Sequence, residues 1–186
     1  VRRGTVCVPR LATAPPPRSG PMRLQLRGRG SLNQLSVQPQ HAFDAPLPPR
    51  HAELRVHAVG LNFRDVLNVL GEYPGDPGPP GLDCAGVVTE VGTGVTHLGP
   101  GIAALGFGGW HGAGAVGSLA SLTRGPAAWL APKPAALSFE AACTLPITWS
   151  TVHAALGGAQ LRRGQAALIH AAAGGVGLVA VEYAHW

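Results

Sequence analysis

Residues 162–186 read RRGQAALIHAAAGGVGLVAVEYAHW, and this stretch decides the fold class. Gln165 to His170 is a short apolar run suited to a strand buried on both faces. Ala171 to Gly177 is a turn of small residues, and Val176 to Trp186 has helical composition with no breaker. The order strand, glycine turn, helix leaves backbone N–H groups facing open space where the helix begins, and small side chains there let a pyrophosphate approach closely. Ala172, Gly174 and Gly177 give A-x-G-x-x-G, a relaxed dinucleotide fingerprint, with Gly175 and Val176 inside it. On spacing alone, a packing turn without a ligand accounts for the same residues.

Moving toward the amino terminus, Ser138 precedes FEAACTLP and predicts a helix broken or bent near Pro146; a second helical stretch runs from about Trp149 to Leu156 and stops at Gly157 and Gly158. The glycine-dense stretch Gly99 to Gly117 reads as a loop or a set of tight sheet corners. Val87 to Val91 reads as a strand with its turn at Gly92. Tyr73 to Gly81, YPGDPGPPG, is a loop, because its prolines lack donors and its glycines loosen the backbone. Phe63 to Leu70 predicts a short helix ended by Gly71, and Glu53 to Val59 alternates so that Leu54, Val56 and Ala58 share one face of a strand. Residues 1–20, with Pro15 to Pro17, read as a linker or extended tail.

Composition narrows the function. The chain of 186 residues is 46% hydrophobic with a net charge of +5, enough for a core and against general disorder. Seven arginines fall before residue 31, where no acid occurs; from Ser31 onward seven basic residues face nine acids. The folded part is not basic, so no nucleic-acid partner is expected. No apolar stretch has the length of a membrane span, so no membrane partner is expected either. Cys7, Cys84 and Cys143 form no disulfide framework, which predicts a reducing, cytoplasmic setting. The chain starts at Val1, and Met22 is its only methionine, so it reads as a piece of something longer.

Metal and nucleophile chemistry find no pattern. The eight histidines and three cysteines lack helical or finger-like ligand spacing and read as satisfied or exposed side chains. No G-x-S-x-G is present, and Cys84 and Cys143 sit in apolar runs as packing residues.

Five segments together carry a family resemblance: GSLNQLSVQP at Gly30 to Pro39, VGLNFRDVLNVLGEYPG at Val59 to Gly75, GLDCAGVVTEVGTGV at Gly81 to Val95, LSFEAACTLPITWSTVHAAL at Leu137 to Leu156, and LRRGQAALIHAAAGGVGLVAVEYA at Leu161 to Ala184. The chain resembles the enoyl-reductase domains of modular polyketide and animal-type fatty acid synthases, a zinc-free branch of the medium-chain dehydrogenase/reductase superfamily. The resemblance implies a mixed β and α/β fold: a GroES-like partial β-barrel over residues 21–150, followed by the start of a Rossmann nucleotide-binding domain over 151–186. It implies NADPH as hydride donor and an enoyl thioester tethered to an acyl carrier protein as substrate, with neighbouring synthase domains as partners. Asn62 would lie near nicotinamide and substrate. Tyr73 matches the position associated with delivery of the α-proton and its stereochemistry, against the alternative of an aromatic packed over the proline loop. Thr151 would lie beside the nicotinamide, while Ala172, Gly174, Gly175, Val176 and Gly177 would form the pyrophosphate turn.

Departures from the family are informative. Leu82-Asp83 stands where zinc-dependent relatives carry His-Glu, so no catalytic zinc is expected. Gly99-Pro100-Gly101-Ile102 replaces the family's G-D-R-V turn, and His153-Ala154 replaces two aromatics. Two rival readings remain: a quinone oxidoreductase of the same superfamily, and a non-catalytic structural piece of a megasynthase.

Overall fold

The computed structural model describes residues 20–41, 43, 45–109, 116–160, 162 and 164–185. The tail expected over residues 1–20 lies outside the described residues apart from Gly20, and so does Cys7. Strands β1 (Met22–Leu26) and β2 (Leu35–Pro39) form an antiparallel hairpin whose connecting turn is capped by the Ser31 hydroxyl, which accepts the Asn33 N–H at 3.2 Å. Next come β3 (His51–Gly60), helix α1 (Phe63–Leu70) and β4 (Asp83–Val91). Strands β5 (Ala103–Phe107), β6 (Leu122–Pro126) and β7 (Leu130–Pro132) complete an antiparallel sheet in the order β6-β3-β4-β5-β7. Three helices follow: α2 (Phe139–Ala142), α3 (Pro146–Gly158) and α4 (Gly175–Ala184).

Strand β4 is buried on both faces. Cys84 and Val88 join Ala52, Leu54, Leu98 and Leu130 on one side, while Ala85 meets Ala142 and Cys143 on the other. Burying each Val or Leu side chain in such a cluster contributes about 1.5–3 kcal/mol. The expected single face of Leu54, Val56 and Ala58 does not hold. The β3–β4 register pairs Val56 with Gly86 and Ala58 with Ala85, skipping His57. One extra residue reverses the side-chain parity. Val56 therefore packs with Leu54, but Ala58 packs with Ala85 beside α2.

Local signals fix the helix ends. Gly71 terminates α1 with φ of 80°, in the left-handed region open to glycine. Ser138 Oγ accepts the Ala141 N–H at 3.1 Å and starts α2 where the sequence predicts it. The helical stretch is broken rather than bent near Pro146: α2 ends at Ala142, and Pro146 is the first residue of α3, where its missing N–H costs nothing. Helix α3 continues through Gly157 and Gly158, past the expected stop, and runs unbroken through residue 150, where the sequence divides barrel from nucleotide unit. The glycine-dense stretch after Gly99 contains β5, which pairs with both β4 and β7.

The strand expected over Gln165 to His170 is not formed: the segment carries no strand ladder, and Leu168 is 85% exposed. A strand needs the N–H and C=O groups of a partner, and the described residues offer it none. The glycine turn and helix that follow are formed as expected, and α4 lies against α3. His153 Nδ1 and the Tyr183 hydroxyl share a 2.8 Å hydrogen bond, and Trp149 and Tyr183 meet with ring centroids 6.1 Å apart. No helix among the described residues is long and apolar enough to cross a membrane.

Candidate functional site

Asn62 stands at the head of α1. Its N–H donates to Asp65 Oδ2 at 3.0 Å, and Asp65 Oδ1 accepts the Gly81 N–H at 2.9 Å. The buried Asp65 carboxylate thus joins the helix head to the far end of the proline loop and also pairs with Arg64 Nη1 at 3.5 Å. The Asn62 amide lies beside the Asp83 carboxyl, which is 1% exposed. Asp83 Oδ2 accepts the Ile147 N–H at 3.3 Å, while Oδ1 is buried without a hydrogen-bond partner. Burial pushes the Asp83 carboxyl up to about 6; the Ile147 N–H and the Asn62 amide pull it down, and the charge on Asp65 adds to the rise.

Tyr73 follows α1 in the proline loop and is half-buried. Its N–H donates to the Leu67 carbonyl at 3.2 Å, and Arg64 Cζ lies over its ring, 5.9 Å from the centroid. Arg64 Nη2 also donates to the Pro77 carbonyl.

The glycine turn is tightly wound. Ala171 adopts φ of 50°, its carbonyl accepts the Gly174 N–H at 2.9 Å, and α4 starts at Gly175. A Cβ on Gly177 would run into the Ala171 carbonyl and stand 2.7 Å from Ala172 Cα, so only glycine fits. At Gly175 the nearest atom to such a Cβ is Thr148 Cγ2, at 3.9 Å. The helix head carries no side-chain cap, Ala172 is exposed, and Val176 is 46% exposed. These features fit a phosphate group, since small residues and uncapped N–H groups meet at one helix head.

Neighbouring groups run from the barrel side to this turn: the Asn62 amide lies beside Asp83, Asp83 accepts from Ile147 at the head of α3, and the adjoining Thr148 Cγ2 lies 3.9 Å from where a Cβ on Gly175 would stand. Tyr73 joins through Arg64 and Asp65. Thr151 lies on α3 with an exposed side chain, and among the described residues no hydrogen bond ties it to the turn. A cleft of about 940 Å³, lined by Trp149, Leu156, Tyr183 and His185, lies at the opposite end of α4 and contains none of the turn residues.

Sequence reading treats Asp83 only as a departure at a zinc position. The signal for more is an acid heading the apolar run Cys84 to Val88. Burial pushes the Cys84 thiol up to about 12 and raises that of Cys143, as befits packing residues. Among the described residues no three or more His, Cys, Asp or Glu side chains are grouped to hold a metal.

Along the chain the antiparallel sheet comes first, with Tyr73 on the loop between α1 and β4, and the glycine turn and α4 come last. Residues 48–135 match the alcohol dehydrogenase GroES-like domain. The chain is 41% identical over 190 residues to the phenolphthiocerol synthesis polyketide synthase type I Pks15/1 of Mycobacterium bovis, covering 99% of this chain and 9% of that protein. It superposes on the CurK enoyl reductase with a TM-score of 0.77 at 34% identity, covering 90% of this chain and 52% of that one. For the quinone oxidoreductase of Pseudomonas syringae pv. Tomato DC3000 the TM-score is 0.70 at 33% identity, covering 88% and 49%. Mycobacterial Rv1454c, solved in complex with NADPH, gives 0.73 at 26% identity, covering 89% and 49%. The chain therefore spans about half of these solved structures and a small fraction of the synthase. It belongs to the medium-chain dehydrogenase/reductase superfamily, whose GroES-like domain it carries.

Proposed function

We propose that the chain is part of an NADPH-dependent enoyl reductase within a polyketide synthase, reducing the C2–C3 double bond of an enoyl thioester held on an acyl carrier protein beside neighbouring synthase domains in the cytoplasm. Residues 21–150 form its catalytic barrel, and 151–186 begin its nucleotide-binding domain. The observation that carries this reading is the run of neighbouring groups from Asn62 through Asp83 and α3 to the glycine turn at Gly175.

When bound, NADPH supplies the hydride. Gly174, Gly175, Val176 and Gly177, with Ala172 beneath them, would hold its pyrophosphate through backbone N–H groups, and Thr151 would line the nicotinamide side. Leu61 and Phe63, 73% and 74% exposed, flank Asn62 and offer an apolar surface to an acyl chain. Addition of hydride at C3 leaves an electron pair shared between C2 and the thioester oxygen. The Tyr73 O–H bond then breaks, its proton closes the new C2–H bond, and the phenolate takes a proton back from water.

The test is NADPH oxidation by the full-length synthase with a crotonyl thioester, compared with the Gly175→Asp variant. Turnover lost through a raised NADPH KM supports the reading, and unchanged cofactor affinity refutes the assignment of the turn. The likeness to the Pseudomonas syringae quinone oxidoreductase favours a second reading. Quinone reduction without enoyl reduction would select it.

A further inference from the structure

The Tyr73 loop is held from two sides by arginines, and we propose that Arg29 is a positioning residue that sets the direction from which Tyr73 delivers its proton. The proposal rests on the reading of Tyr73 given above. Arg29 lies between β1 and β2, and its guanidinium spends three donors on backbone carbonyls. Nε donates to Asn68 at 3.2 Å, Nη1 to Gly75 at 2.8 Å and Nη2 to Tyr73 at 2.5 Å. One acceptor belongs to the last turn of α1 and two to the loop itself. The neighbouring backbone is closed up as well: the Gly30 N–H donates to Val69 at 2.8 Å, and a Cβ on Gly71 would stand 3.3 Å from Gly30 N.

Arg64 works from the other side. Its guanidinium lies over the Tyr73 ring, donates to Pro77 and pairs with Asp65, whose carboxylate accepts the Asn62 N–H. The phenol ring is thereby referred to the head of α1, and its backbone, through Arg29, to the tail of α1.

The chemistry of the loop explains why an arginine is needed there. Pro74, Pro77, Pro79 and Pro80 bring no N–H, and Gly75 and Gly78 sit at φ of 72° and 70°, so the segment has little means of bonding to itself. Its carbonyls take donors from elsewhere in the chain: Arg29 serves Tyr73 and Gly75, Arg64 serves Pro77 and the Asn68 amide serves Gly78. A planar fork serves several carbonyls in fixed directions, whereas a lysine ammonium cannot reproduce that geometry. Proton delivery to one face of C2 needs the phenol oxygen held on that face, and a misplacement of about 1 Å can cost up to about 100-fold in rate. Among the described residues the bonds of Arg29 go to Asn68, Tyr73 and Gly75 and none to the glycine turn, so its effect falls on protonation and leaves the cofactor alone.

The experiment uses the full-length synthase with an α-methyl enoyl thioester on its carrier protein, comparing Arg29→Lys, Arg29→Ala and Tyr73→Phe. Product configuration at C2, the solvent deuterium isotope effect and the NADPH KM are read together. Both Arg29 variants should raise the minor C2 configuration several-fold and lower kcat about tenfold, with NADPH KM within about twofold of the unaltered enzyme. Arg29→Lys keeps charge and stem, so it decides the matter even if the alanine variant does not fold. Unchanged configuration and isotope effect in the Arg29 variants, with both altered in Tyr73→Phe, would overturn the positioning role and leave Tyr73 standing. Unchanged configuration in Tyr73→Phe would remove the premise, and the proposal with it.

Discussion

Asp83 caps a helix that it does not belong to: its Oδ2 accepts the Ile147 N–H at 3.3 Å, in the first turn of α3. Helix α3 has Leu145 at its head and no side-chain cap of its own, so its first N–H groups need an outside acceptor. A carboxylate there also meets the favourable end of the helix dipole. Burial nevertheless wins, because the carboxyl is raised from 3.8 to about 6.

That balance predicts a pH dependence. A folded-state value above the unfolded one means that the native protein holds its proton more tightly. Asp83 thus contributes stability that is fully present below pH 3.8 and is lost as pH rises through about 6. A shift of this size is worth about 2–3 kcal/mol at most. Hydrogen exchange at the Ile147 amide, corrected for intrinsic rates, should show opening becoming easier between pH 4 and pH 7. Asp83→Asn should flatten that dependence, and parallel profiles would refute it.

Gly175→Asp should separate folding from cofactor binding. The site is open, with Thr148 Cγ2 3.9 Å from an added Cβ, and an acid in the first turn of a helix is favourable in itself. Beside a pyrophosphate the same charge repels. NADPH affinity in the full-length protein should fall at least about tenfold, or about 1.4 kcal/mol, while Gly175→Ala stays near the unaltered value. Fluorescence titration of NADPH measures both.

Tyr73→Phe removes only a hydroxyl, so the ring should stay under Arg64 and the loop should keep its bonds to Leu67 and Arg29. The expected result is slower protonation or an altered C2 configuration with nearly intact cofactor affinity. Equal turnover and configuration would make Tyr73 a packing residue.

Gly71→Ala places a Cβ on a residue at φ of 80°, which costs about 1–2 kcal/mol. The Glu72 and Tyr73 amides, both bonded to the Leu67 carbonyl at 2.9 and 3.2 Å, should exchange about tenfold faster. Unchanged protection would show that the turn tolerates a side chain.

Signals contained within a few residues were legible in the sequence. Helix α1 ends at Gly71 and α2 starts at Ser138 as predicted, because a left-handed stop and a hydroxyl cap act within one turn of chain. The small-residue turn before α4 was legible for the same reason, since Gly177 must clear Ala171 and Ala172, only six and five positions back. Tertiary structure decided the rest. His57 is skipped in the β3–β4 register, which moves Ala58 to the opposite face, and no alternation in β3 alone encodes where its partner is slipped. The run Gln165 to His170 has strand composition yet no ladder among the described residues, because composition does not supply a partner's hydrogen bonds. Asp83 meets Ile147 from 64 positions away, and Arg29 meets Tyr73 from 44. Such pairings depend on loop closure and on the desolvation of particular polar groups, which exist only once the chain has folded around them.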